Sequence, residues 1–152
     1  MNKQEQINQF ISTFGDFIER YYSSAVTDIT KHPEDDWIKV VIQGPQGTTI
    51  ELWSEGAEVT VDFGESHWHI DSYDDPCNME NIFENTIDSV LDILRFKTSS
   101  YSCWQDGRCV GGASCSDDFV EKDIISAARE FFKEFNEIRI QTWANELKIL
   151  KV

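Results

Sequence analysis

From Trp37 onward the hydrophobic pattern changes its period, and that change constrains the fold more than any other feature of the chain. Apolar and polar residues alternate in four runs: Trp37 to Gln43, Thr48 to Trp53, Glu58 to Phe63 and His67 to Ser72. A period of two belongs to a strand with one buried face. The linkers Gly44-Pro45-Gln46-Gly47, Ser54-Glu55-Gly56-Ala57 and Gly64-Glu65-Ser66 are short and each contains Gly. That is hairpin chemistry, so the four runs read as an antiparallel meander.

Three segments carry a helical period instead. Ile7, Phe10, Ile11, Phe14, Ile18 and Tyr21 lie on one stripe, which predicts a helix from about Gln4 to Tyr22. Asp75-Pro76 has the chemistry of an N-cap followed by a first helical position. The stripe Met79, Ile82, Phe83, Ile87, Val90, Leu91 and Leu94 continues from it, and Arg95 and Lys97 follow at the end favoured by the helix dipole. A third helix is predicted from Asp117 to Asn136, capped by Ser116, with Val120, Ile124, Ala127, Ala128, Phe131, Phe132 and Phe135 facing the core. Two short strands, Ser99 to Trp104 and Arg108 to Gly112, flank the turn Gln105-Asp106-Gly107. A last strand runs from Ile138 to Trp143, and Asn145 to Val152 fits a strand or a helix.

Strand runs with helices set between them give an α+β class: one mostly antiparallel sheet, the meander plus later strands, with about three helices on one face. No linker, repeat or low-complexity tract divides the sequence, and 152 residues suit a single domain spanning 1–152. No apolar run is long enough to span a membrane. Met1 to Gln6 is polar and leads into an amphipathic stretch, so it does not read as a signal peptide. The expected compartment is the cytoplasm.

Charge narrows the function. Thirteen Lys and Arg face 28 Asp and Glu, a balance of −15. Nucleic-acid binding needs clustered cations, and an anionic membrane surface repels such a chain, so neither partner is expected. From Val40 to Leu94 there is no Lys or Arg, against 12 acidic residues. One reading is solubility; the other is attraction of a basic partner.

Alternation also sorts the strand faces. Val59, Val61 and Phe63, Ile50 and Leu52, and Trp68 and Ile70 form an apolar set. The opposite set is Glu51, Trp53, Thr60, Asp62, His67, His69 and Asp71. A plain solvated face usually carries Lys, Thr and Glu; this one is acidic and aromatic, and Trp is enriched at binding hot spots. The candidate partner-binding residues are therefore Glu51, Trp53, Asp62, His67, His69 and Asp71.

His67 and His69 also sit on one side of a strand at a spacing compatible with two ligands of one zinc ion, with Asp62 or Asp71 as a third. That makes a small metal-dependent enzyme or metal-binding protein the alternative; the favoured reading has no metal, no cofactor and no catalytic residue. Cys103, Cys109 and Cys115 are spaced Cys-x5-Cys-x5-Cys, and with Cys77 they lack the close pairs of structural zinc sites. Cys103 and Cys109 flank a hairpin turn and are placed to face each other. In a reducing compartment free thiols are the default. No nucleophile elbow, P-loop, dinucleotide fingerprint or zincin motif is present.

The stretch Ile50-Glu51-Leu52-Trp53 through Val59-Thr60-Val61-Asp62-Phe63-Gly64-Glu65-Ser66-His67-Trp68-His69-Ile70-Asp71 resembles a segment of small acidic bacterial immunity proteins, those encoded beside polymorphic toxins. The likeness extends to the three-helix framework and to the late strand Ile138-Arg139-Ile140-Gln141-Thr142-Trp143, and covers about half the chain. It implies a protein that binds one cognate toxin and blocks it without catalysing a reaction. Toxins of that kind are often basic nucleases, which suits the charge of −15.

Overall fold

The structure is a computed structural model, and it describes residues 5, 12, 13, 16, 20, 26–32, 37–55, 58–70 and 79–152. The helix predicted over Gln4 to Tyr22 falls mostly outside this set. Glu5, Ser12, Thr13, Asp16 and Arg20 are described, helical and exposed. Their spacing places them opposite the predicted apolar stripe.

Two antiparallel sheets form where the sequence predicts one. The first orders β1 (Val26–His32), β2 (Trp37–Gln43), β3 (Thr49–Glu55), β4 (Glu58–Phe63) and β5 (Ser66–Ile70) side by side. The four meander strands lie within two residues of their predicted limits. Strand β1 was not predicted, because Val26 and Ile29, the aliphatic residues of Val-Thr-Asp-Ile-Thr-Lys-His, are three apart and break the period of two, and the segment runs into a polar stretch. Helix α1 (Met79–Leu94) follows, and the proposed cap at Asp75-Pro76 lies outside the described residues. The helix closes through Phe96, held at φ 57°, with Lys97 N–H donating to Asp92 O at 2.7 Å. That bond is the signature of a Schellman cap.

The second sheet consists of β6 (Thr98–Gln105), β7 (Arg108–Ser116), β8 (Glu137–Gln141) and β9 (Leu147–Lys151), in the order β7-β6-β8-β9. Asp106 and Gly107 both take positive φ, 51° and 81°, as a two-residue hairpin between twisted strands requires. Helix α2 (Glu121–Phe131) is shorter than predicted. Ser116 cannot cap it, because it ends β7; the cap position is Val120, which has no side-chain bond to offer. Phe131, expected inside, is 75% exposed, because the chain becomes extended at Phe132 and turns that ring inward instead. The ambiguous C-terminal segment is strand β9.

Each sheet has its own core. Val40, Ile42, Ile50, Leu52, Val59, Val61 and Phe63 pack under Ile82, Ile87, Val90 and Ile93 of α1. Tyr101, Cys103, Ile138, Ile140 and Leu150 pack under Ile124 and Ala128 of α2. The crossover through α1 starts a new sheet, and small residues let the sheets abut. Ser66 at the start of β5 donates its hydroxyl to the Tyr101 carbonyl. Gly64, at φ 67°, lies so close to Ser100 that a Cβ would sit 2.4 Å from its Oγ. Trp143, expected at the end of a strand, instead lies in the turn after β8 and enters the first core. Among the described residues no helix is long and apolar enough to cross a membrane.

Candidate functional site

Strand pairing assembles the predicted face. In the first sheet Thr30, Lys39, Trp53, Thr60 and His69 stand opposite one another in sequence across five strands. The next row is Asp28, Val41, Glu51, Asp62 and His67. Neighbouring rows are two residues apart along each strand, so they share one face. The set between them, Val40, Leu52 and Val61, is buried under α1. Five of the six predicted residues, Glu51, Trp53, Asp62, His67 and His69, therefore lie together. Asp71 is outside the described residues, as is Cys77.

The absence of cations holds along the sequence but not across the sheet. Lys39, one residue before the cation-free stretch, pairs with Trp53 in register. Its Nζ lies 3.0 Å from Glu51 Oε2 and 4.6 Å from the centre of the Trp53 ring. Glu58 joins the face as well: His69 Nδ1–H donates to Glu58 Oε1 at 2.7 Å, with Thr60 Oγ1 3.1 Å from the same nitrogen. The rings of His67 and His69 meet edge-on, 5.2 Å apart. Among the described residues no three His, Cys, Asp or Glu side chains converge to hold a metal ion; Asp71, one of the two candidates for a third zinc ligand, lies outside them.

Glu51 and Asp62 are direct cross-strand neighbours. Like charges in that relation destabilise a sheet. Partial burial, and then Glu51, raise the Asp62 carboxyl above its ordinary value of 3.8; His67 and Lys39 oppose them more weakly. The folded state thus holds the Asp62 proton more tightly than the unfolded one. The resulting destabilisation is full above the folded-state pKa and fades as the pH falls through it. Asp62→Asn is expected to stabilise the fold at pH 7 by roughly 0.2–1 kcal/mol, the scale of one cross-strand pair. Urea melts at pH 7 and at pH 3 test this, because the gain should vanish at the lower pH.

Beyond the second row an open cleft of about 360 Å³ lies at the junction of the sheets. Glu51, Asp62 and Glu65 line it, with Thr49, Gly64 and, from the second sheet, Gln141. Sequence reasoning missed this cleft and Lys39, because both depend on which strands become neighbours.

Three of the four cysteines lie among the described residues. Cys103 stands opposite Gly111, and a bulge puts Cys109 opposite Trp104, so the two cysteines do not face each other across the hairpin. Cys103, Cys109 and Cys115 are free. Burial pushes the Cys103 thiol up to about 11 and the Cys115 thiol up to about 12, away from the reactive thiolate. No family model, curated protein or solved structure matches the chain.

Proposed function

We propose that this chain is an inhibitory binding protein: a cytoplasmic immunity protein that neutralises a cognate toxin with a basic, nuclease-type domain. The observation that carries the reading is the cross-strand carboxylate pair Glu51–Asp62 beside Trp53. A face chosen only for solubility would place opposite charges in register, whereas Asp62 is kept at a cost to folding. A basic partner turns that cost into attraction, since its Lys or Arg side chains meet three carboxylates in the cleft lined by Glu51, Asp62 and Glu65, where Lys39 pairs with Glu51 and Arg139 lies 3.9 Å from Glu65 in the free protein. The charge of −15 speeds the encounter. Trp53 supplies apolar contact area; Lys39 covers its ring in the free protein and moves aside on docking.

The test is surface plasmon resonance against the toxin domain encoded beside this chain's gene, with survival of cells co-expressing the two. Trp53→Ala is expected to weaken binding by about 2 kcal/mol, roughly 30-fold. Asp62→Lys should mainly slow association and flatten its salt dependence. Association and affinity unchanged in both variants, with circular dichroism showing intact folding, would remove the toxin from this face.

A further inference from the structure

We infer that β9 is a self-association edge, at which two copies of the chain join the second sheet into one continuous antiparallel sheet. Strand β9 ends the order β7-β6-β8-β9, so among the described residues one side of its backbone has no strand beside it. Two bonds identify the groups on that side. Val152 N–H donates to Asn136 O and Thr142 N–H donates to Glu146 O, each at 3.0 Å. Bonded and non-bonded pairs alternate along an antiparallel ladder. With Ile138 opposite Leu150 and Ile140 opposite Lys148, residues 148 and 150 therefore bond inward to β8. Leu147, Ile149 and Lys151 turn their backbone N–H and C=O groups outward.

The same three residues point their side chains away from the α2 core. Leu147 is 58% and Ile149 49% exposed, an apolar pair on an open edge. Such an edge is a template for another strand. The triplet 147, 149, 151 is self-complementary under a twofold axis. Ile149 would face Ile149 of the partner subunit as a bonded pair, and Leu147 would face the partner's Lys151.

Three observations favour a second copy as the occupant. The cations Arg139, Lys148 and Lys151 balance Glu137, Glu146 and the Glu121 carboxylate that Lys148 pairs with, so this edge is near neutral within a chain of −15. Two copies therefore approach here without the repulsion that the rest of the molecule imposes. The lysines do not blunt the edge, since Lys148 pairs with Glu121 at 2.6 Å and Lys151 with Glu137. Finally, β9 keeps an unbroken register with β8, whereas the edge strands β1 and β7 both carry a bulge in their pairing. Ser66 of β5 lies against Gly112 of β7, so those two edges meet within the molecule.

Sedimentation velocity and light scattering on the full chain, from low to high micromolar concentration, test the inference. The expected species at the upper end has twice the 17.6 kDa chain mass. Ile149→Pro removes the N–H at the twofold axis; that N–H has no hydrogen-bond partner among the described residues, and proline is tolerated at such an edge position. Ile149→Lys keeps the backbone but sets two ammonium groups together. Each should return the mass to that of one chain with unchanged circular dichroism, while Ile149→Val should leave the dimer. A wild-type monomer throughout the range would overturn the inference and leave the edge to a foreign strand or to none. A dimer that survives both Ile149→Pro and Ile149→Lys would overturn it equally.

Discussion

Truncating Trp143 to Ala is expected to cost about 3–5 kcal/mol, the range for deleting a large buried aromatic. The indole is 5% exposed although it belongs to a turn outside either sheet. It meets the Phe63 ring edge-on with centroids 5.9 Å apart. Its benzo edge lies over Gly44, where a Cβ would come within 2.3 Å of Cζ2. Its own carbonyl accepts the Thr48 hydroxyl at 2.9 Å. Trp143 thus ties the turn after β8 to residues 44–63 of the first sheet. The space left by the indole adds a cavity contribution to the lost transfer energy. Guanidinium unfolding followed by fluorescence and circular dichroism measures the loss. Trp143→Phe should recover part of it. A cost under roughly 1 kcal/mol, typical of an average substitution, would mean that the turn does not anchor the first core.

Gly112→Ala should destabilise by about 3 kcal/mol, at the upper end of the overpacking range, although it adds one methyl group. The added Cβ would lie 2.0 Å from Ser66 Oγ, 2.3 Å from the Tyr101 carbonyl oxygen and 3.2 Å from Ser102 Cα. The hydroxyl can rotate away, but the other two are backbone of the neighbouring strand and cannot. Relief therefore requires β6 and β7 to separate or the two sheets to part. Thermal melts of Gly112→Ala and of the double variant Ser66→Gly/Gly112→Ala distinguish these origins. If the backbone clash dominates, the double variant regains little; full recovery would place the whole effect on the Ser66 hydroxyl. Parting the sheets would also distort the cleft containing Glu65 and Gln141, so affinity for the proposed toxin partner should fall with stability.

Much of the candidate face was legible in the sequence because a period of two is local. Once Val59, Val61 and Phe63 are buried, Thr60 and Asp62 have only the other side to occupy, whichever strands lie beside them. The same logic identified the meander, and local turn chemistry and helical spacing identified the Asp106-Gly107 turn and, on α1, the inward positions Ile82, Ile87 and Val90. It missed Ile93, fully buried in α1, and it placed Phe131 inside by extending α2 beyond its end. Helix ends depend on caps and on where the chain must turn, and a stripe of aromatic residues carries neither signal.

What the sequence determined by itself was therefore the alternation of buried and open faces, the α+β order of elements and the sign of the charge. Each follows from side-chain chemistry within a few residues. The tertiary structure decided which strands became neighbours. It divided the strands into two sheets at the α1 crossover and carried Trp143 from the second sheet's turn into the first core. It set Lys39 beside Glu51 and brought Gln141 to the acidic cleft. Those contacts join residues far apart in the chain, and their partners are selected by packing and backbone hydrogen bonding between surfaces that exist only after the local elements have formed.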